Sequence, residues 1–152
     1  MGDYKKALEL NEKVYTLLCK VLGEEHPDTL ISLDNLAYTY GELENHKKAL
    51  ELHKKVYELR CKVRGEKHPD TLDSLYNLAV TYDNLAYTYG ELGNHKKALE
   101  LLKEIYELRC KVLGEKHLDT LDSLYNLAVT YEKLGNTEKA QALIAQYLKS
   151  IS

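Results

Sequence analysis

Apolar residues recur at helical spacing along almost the whole chain. Between residues 27 and 43, Leu33, Leu36, Ala37 and Tyr40 stand at i, i+3, i+4 and i+7, which places them on one face of an amphipathic helix. Pro27 and Asp28 suit its first turn, because proline lacks only an N–H that would be unpaired there and an acid favours the positive end of the dipole. Gly41 and the Glu44-Asn45 pair predict the turn that stops it. A second stripe follows from His46 to Arg64, carried by Ala49, Leu52, Val56, Leu59 and Val63 and closed by Gly65.

This two-helix phrase is then repeated. HPDTL at 26–30 returns at 68–72, an offset of 42, and as HLDTL at 117–121, an offset of 49. VYTLLCKVLGEEH (14–26) returns as VYELRCKVRGEKH (56–68) and IYELRCKVLGEKH (105–117). The pattern predicts an all-α chain of seven helices: an orphan second helix at about 3–22, then pairs at 27–43/46–64, 69–92/95–113 and 118–134/137–150. Glycine-terminated amphipathic helices repeated with such identity form an α-solenoid, here a single array over 1–152.

The phrase YNLAVTYDNLAYTY, residues 76–89, is a stutter within the repeat. DNLAYTYGEL at 83–92 duplicates 34–43, and LDSLYNLAVTY at 72–82 duplicates 121–131. Seven residues, YNLAVTY, are gained where the two registers join. Seven residues are nearly two helical turns, with only about 20° of angular drift. The stripe Leu75, Leu78, Ala79, Tyr82, Leu85, Ala86, Tyr89, Leu92 therefore runs on unbroken. One long helix at about 69–92 is expected, about 10 Å longer than its siblings, with an offset in the stack.

The run NLAYTYGELENHKKALEL followed by KV-GE-HPDTL resembles the tetratricopeptide repeat (TPR), in the long 42-residue version of kinesin light chains. Leu36, Ala37, Tyr40 and Ala49 match the family signature, as do Leu78, Ala79, Tyr82 and Ala98, then Leu127, Ala128, Tyr131 and Ala140. Leu33, Leu75 and Leu124 replace the early-helix tryptophan of the shorter 34-residue form. The resemblance covers essentially the whole chain. It implies a right-handed superhelix whose first helices line a concave groove, used to bind peptides or proteins without catalysis.

Composition narrows the alternatives. At 152 residues, 44% hydrophobic and 30% charged, with a net charge of −3, the chain has no bias toward polyanions, so no nucleic acid is expected. No apolar run approaches the roughly 20 residues of a membrane span. Cys19, Cys61 and Cys110 are one repeat position seen three times, which suggests unbridged thiols in a reducing, cytoplasmic setting. His26, His68 and His117 are dispersed one per repeat, as are His46 and His95, while His53 is unmatched. No pair has ligand spacing, so neither metal nor cofactor is expected. Glycines sit in turns and none forms a phosphate loop, so no enzymatic constellation emerges.

What remains are candidate binding residues on the first helices. The resemblance implies that Asn35, Asn77, Asn84 and Asn126 face the groove, where an amide offers two donors and an acceptor to a peptide. Bonding to a neighbouring helix is the alternative. Tyr38, Tyr76, Tyr87 and Tyr125 fall on the same polar-facing side, as contact residues or as partly exposed packing. Asp73 and Asp122, beside Ile31, stand where a carboxylate clamp would need Lys or Arg, so a peptide with basic residues fits better than an acidic one. Tyr40, Tyr82, Tyr89 and Tyr131 belong to the core stripe. The leading expectation is a protein-interaction scaffold. Alternatives are a self-assembling homodimer, swapped through the long helix or side by side, or the repeat region of a larger effector. The start in mid-repeat, Asp3 to Leu8, and the missing polar cap fit either a piece of a longer array or ends that stack.

Overall fold

The structure, a computed structural model, describes residues 2–152. These form α1 (Gly2–Leu22), α2 (Pro27–Glu42), α3 (His46–Arg64), α4 (Pro69–Glu91), α5 (His95–Leu113), α6 (Leu118–Lys133) and α7 (Thr137–Ile151), and no strand occurs among the described residues. Every predicted element is present within two residues of its expected ends.

Local chemistry sets those ends. Asn45, Asn94 and Asn136 cap α3, α5 and α7, their Oδ1 atoms accepting from the backbone N–H of Lys48, Lys97 and Lys139 at 3.3, 3.2 and 3.2 Å. The repeated histidines cap the other helix of each pair. His26, His68 and His117 accept through Nδ1 from the N–H of Asp28, Asp70 and Asp119, each at 3.1 Å. Gly65 and Gly114 follow α3 and α5 at φ 88° and 91°, a region open to glycine without a Cβ penalty. Gly41 differs from expectation: it lies inside the last turn of α2, and the residue that takes positive φ in that turn is Glu44, at 61°.

Two compact units make up the chain, one reaching to Thr81 and the other Tyr82–Ser152. In the first, α2 packs against both α1 and α3. Its core gathers Leu33, Leu36, Ala37, Leu52 and Val56, with Leu8, Tyr15 and Tyr40 packed against it. Leu75, Leu78 and Ala79 of α4 are also buried. In the second unit α6 packs against both α5 and α7, and Tyr82, Leu85, Ala98, Leu101, Ile105, Leu124, Leu127 and Ala140 are buried.

The division falls inside the stutter. Helix α4 is a single helix of 23 residues, and the two registers that meet in it contribute to different units. Its stripe stays buried from Leu75 through Ala86, then weakens: Tyr89 is half-buried and Leu92, just past the helix end, is exposed.

Candidate functional site

In the first unit the outward faces of α2 and α4 border a cleft of about 400 Å³ lined by Ile31, Asp34, Arg60, Asp73, Tyr76 and Asn77, among others. In the second, residues of α4, α5 and α6 border a cleft of about 360 Å³ whose lining includes Asp83, Asn84, Tyr87, His95, Asn126 and Lys133. Six of the ten expected binding residues thus line clefts: Asp73, Tyr76 and Asn77 in one, Asn84, Tyr87 and Asn126 in the other. Asn35 and Tyr38 lie exposed on α2, and Asp122 and Tyr125 exposed on α6, outside both linings. Tyr125 packs against Tyr147 of α7, with ring centroids 6.2 Å apart.

Helical geometry separates the tyrosines cleanly. Tyr38, Tyr76, Tyr87 and Tyr125 are each more than half exposed, whereas Tyr82 and Tyr131 are buried. Tyr82 satisfies its hydroxyl by donating to Glu104 Oε2 at 2.9 Å, as a buried phenol must. The exposed four have no such structural demand on their rings. Residues two apart on one helix point to different sides, so the YxY pairs 38/40, 87/89 and the pairs 76/82 and 125/131 divide core from surface.

Beneath each cleft lies a charged cluster that sequence reasoning missed. His53 Nδ1 approaches Asp34 Oδ1 to 2.9 Å, an ion pair when the ring is protonated but not an aligned hydrogen bond. Asn77 Nδ2 donates to Asp34 Oδ2 at 3.2 Å, and Arg60 Nη1 is 3.8 Å from that oxygen. The same Nη1 donates to the Asp70 carbonyl at 3.2 Å and to Ser74 Oγ at 2.6 Å, tying α3 to the start of α4. The second unit repeats the plan. Arg109 Nη1 donates to the Asp119 carbonyl at 3.0 Å and to Ser123 Oγ at 2.9 Å, and Asn126 hydrogen-bonds Asp83.

One member is changed. The second-unit counterpart of His53 is Leu102, which is buried. Asp83 Oδ1, like Asp34 Oδ1, is buried without a hydrogen-bond partner, and it has Leu102 where Asp34 has the His53 ring. Burial pushes the Asp83 carboxyl above its ordinary range. Arg109 and the bond from Asn126 oppose the shift, and Asp122 adds to it. Two asparagines expected to meet a ligand, Asn77 and Asn126, therefore use part of their hydrogen-bonding capacity on a neighbouring aspartate.

The thiols sit half-buried one turn after a tyrosine. Tyr106 is raised to about 12 by burial first and then by its bond with Cys110, and Tyr57 beside Cys61 is raised for the same reasons. Among the described residues no group of His, Cys, Asp and Glu is arranged to hold a metal ion. No helix among them is long and apolar enough to cross a membrane.

The tetratricopeptide repeat profile matches residues 1–62 and 79–150, leaving unmatched a stretch that spans the first half of α4. Among solved structures, a Podosopora anserina candidate kinesin light chain with nearly identical TPR-like repeats is 31% identical, with a TM-score of 0.66, covering 98% of this chain and 67% of that one. A variant of the same Podosopora protein matches at 31% identity and a TM-score of 0.64, with the same coverage. BtubC (BKLC) from P. vanneervenii, at 20% identity and a TM-score of 0.61, covers 98% of this chain and 57% of its own and supports the fold alone. No curated protein matches the chain. These repeats, all helical and paired with a kinesin-light-chain-like phrase, place the fold in the all-α TPR solenoid class, and the chain belongs to the tetratricopeptide repeat family.

Proposed function

We propose that the chain is a protein-interaction scaffold that takes a peptide or protein segment on the outward faces of its first helices. The observation that supports this reading is the exposure of Tyr38, Tyr76, Tyr87 and Tyr125 on those helices, although Tyr125 also packs on Tyr147. Tyrosine offers large contact area at low entropic cost together with a hydroxyl. Asn35 and Asn84 stand beside them, also exposed, and Asp73 and Asp122 give the faces an acidic edge. The ligand that matches is an extended segment with basic side chains near those aspartates. TPR folds are generally non-catalytic scaffolds, and nothing in either cleft needs a cofactor for this role. A cytoplasmic location fits three cysteines that are not joined in disulfides.

Tyrosine substitutions test the reading better than asparagine ones, because Asn77→Ala would also strip Asp34 of a bond. A labelled peptide library is screened by fluorescence anisotropy against the wild type, Tyr76→Ala and Asp73→Lys. Tyr76→Ala should weaken the selected peptides by about tenfold or more, and Asp73→Lys should turn the preference from basic to acidic sequences. Selected peptides that bind both variants as well as wild type would remove the groove reading.

A further inference from the structure

Three tyrosines of the core stripe end in hydroxyls that meet a charge, and the charge differs among them. Tyr40 donates to Glu12 Oε1 at 2.8 Å, and Tyr82 donates to Glu104 Oε2 at 2.9 Å. At Tyr131 the neighbours are cations. Lys103 Nζ lies 5.6 Å and Lys139 Nζ 5.1 Å from its ring centroid, and both ammoniums hydrogen-bond the hydroxyl. Tyr40 and Tyr131 are the same repeat position, 91 residues apart.

Two changes of sequence reverse the charge. The same offset carries Glu12 of α1 to Lys103 of α5, so an ammonium replaces the carboxylate that receives the Tyr40 proton. It also carries Glu51 of α3 to Ala142 of α7. Glu51 pairs with Lys48 at 3.2 Å, and in α5 Glu100 pairs with Lys97 at 3.3 Å. Lys139 is the counterpart of both lysines, and the residue three places on is an alanine. The first copy thus carries two carboxylates and one ammonium here, whereas the last carries two ammoniums and neither carboxylate. The phenols respond in opposite directions. The bond to Glu12, then burial and the charges of Glu12 and Glu51, raise Tyr40 above its ordinary 10.0. Burial raises Tyr131 too, but Lys103 and Lys139 outweigh it and hold that phenol below 10.0.

While accepting from two ammoniums, the Tyr131 hydroxyl still has its own proton to donate. A carboxylate set beside it takes that hydrogen bond and balances both cations, as Glu12 and Glu51 do in the first copy. The three groups come from α5, α6 and α7, the counterparts of the α1, α2 and α3 that surround Tyr40, so the place is complete within the second unit. Lys103 and Lys139 are exposed, which leaves it open to an incoming group. None of the three lines either cleft. We propose that Lys103, Lys139 and the Tyr131 hydroxyl form a carboxylate-binding site that takes an acidic side chain of a partner protein segment. It is independent of the groove, whose matching ligand is basic. Exposed ammoniums hold a lone ion weakly, so retention needs the further contacts that a bound segment supplies.

The probes are an acetylated, amidated peptide of alternating glycine and glutamate, its glutamine analogue, and acetate. The full chain carries ¹³C at tyrosine Cζ, and Tyr131→Phe identifies the resonance. The glutamate peptide should shift the Tyr131 signal saturably and raise its phenol pKa, because a carboxylate takes the place that only cations flank now. The glutamine analogue should not, and acetate should bind at least about tenfold more weakly. Lys103→Glu and, separately, Ala142→Glu restore the first copy's residues at exposed positions. Each should weaken the glutamate peptide by about fivefold or more without changing the helical circular dichroism. A Tyr131 signal unmoved at millimolar glutamate peptide, equal binding of the glutamine analogue, or unchanged affinity in both variants would overturn the site. Acetate binding as tightly as the peptide would overturn its assignment to a protein segment.

Discussion

His53 Nδ1 lies 2.9 Å from Asp34 Oδ1, and 49 residues along the chain the same position is Leu102, while neither Asp34 Oδ1 nor Asp83 Oδ1 receives a hydrogen bond. The two repeats thus contain the same half-buried aspartate with and without its histidine. Exchange of the two residues isolates what the pairing does. Leu102→His should bring the Asp83 pKa down, read by carboxyl ¹³C titration. The reverse exchange, His53→Leu, should destabilise the first unit by about 1–3 kcal/mol, because it replaces the imidazole 2.9 Å from Asp34 Oδ1 by an apolar side chain against a buried carboxylate oxygen.

Asp83 gives a pH dependence with a definite sign. Its folded pKa is raised above the ordinary 3.8 by burial. The protonated form is therefore favoured by folding, so its contribution to stability is fully present below about 3.8 and is lost as pH rises through the raised value. Asp83→Asn should remove that slope. Urea unfolding from pH 3 to 6 checks it: the stability of wild type relative to Asp83→Asn should fall with rising pH, and a constant difference would contradict the assignment.

Arg109, only 4% exposed, holds the entry of α6 through the Asp119 carbonyl and Ser123 Oγ. Arg109→Ala should destabilise the second unit by about 2–3 kcal/mol, in the range for a buried charge-assisted hydrogen bond whose acceptors are left unpaired. Denaturant unfolding monitored by the tyrosines of that unit provides the measurement. Arg109→Lys should not restore stability, because one ammonium does not reproduce the planar guanidinium fork.

Glu44 takes φ 61° where the later turns carry Gly93 and Gly135 at 80° and 79°. A side chain in the left-handed region costs about 1 kcal/mol. Glu44→Gly should therefore stabilise the first unit by about 0.5–1 kcal/mol, seen as a rise of a few degrees in its thermal midpoint.

Helix pairing was readable from the chain because three near-identical copies carry the same stripes, and even the stutter obeyed helical periodicity from Leu75 to Ala86. The division of tyrosines was readable for the same reason: Tyr82 and Tyr131 share the phase of Leu78 and Leu127, and Tyr76 and Tyr125 do not. The caps were harder. His26, His68 and His117 are not among the residue types that usually cap helices, so they read as loop histidines. Asp34, Asp83, Arg60 and Arg109 look like ordinary charges on polar faces. Only the packing of neighbouring helices buries Arg109 and half-buries the other three, and a single helical period carries no trace of that. Asn77 and Asn126 line the two clefts, and the aspartate each bonds lies 43 residues earlier in the chain.

Site-specific photo-crosslinking bears most directly on partner binding by the first helices. A benzophenone amino acid is placed at Tyr76, Tyr87 or Tyr125, and at Glu58 or Glu107, which are exposed on second helices. The captured partner should crosslink from the three tyrosine positions and not from the two glutamates. Crosslinks from Glu58 and Glu107 alone would contradict the account.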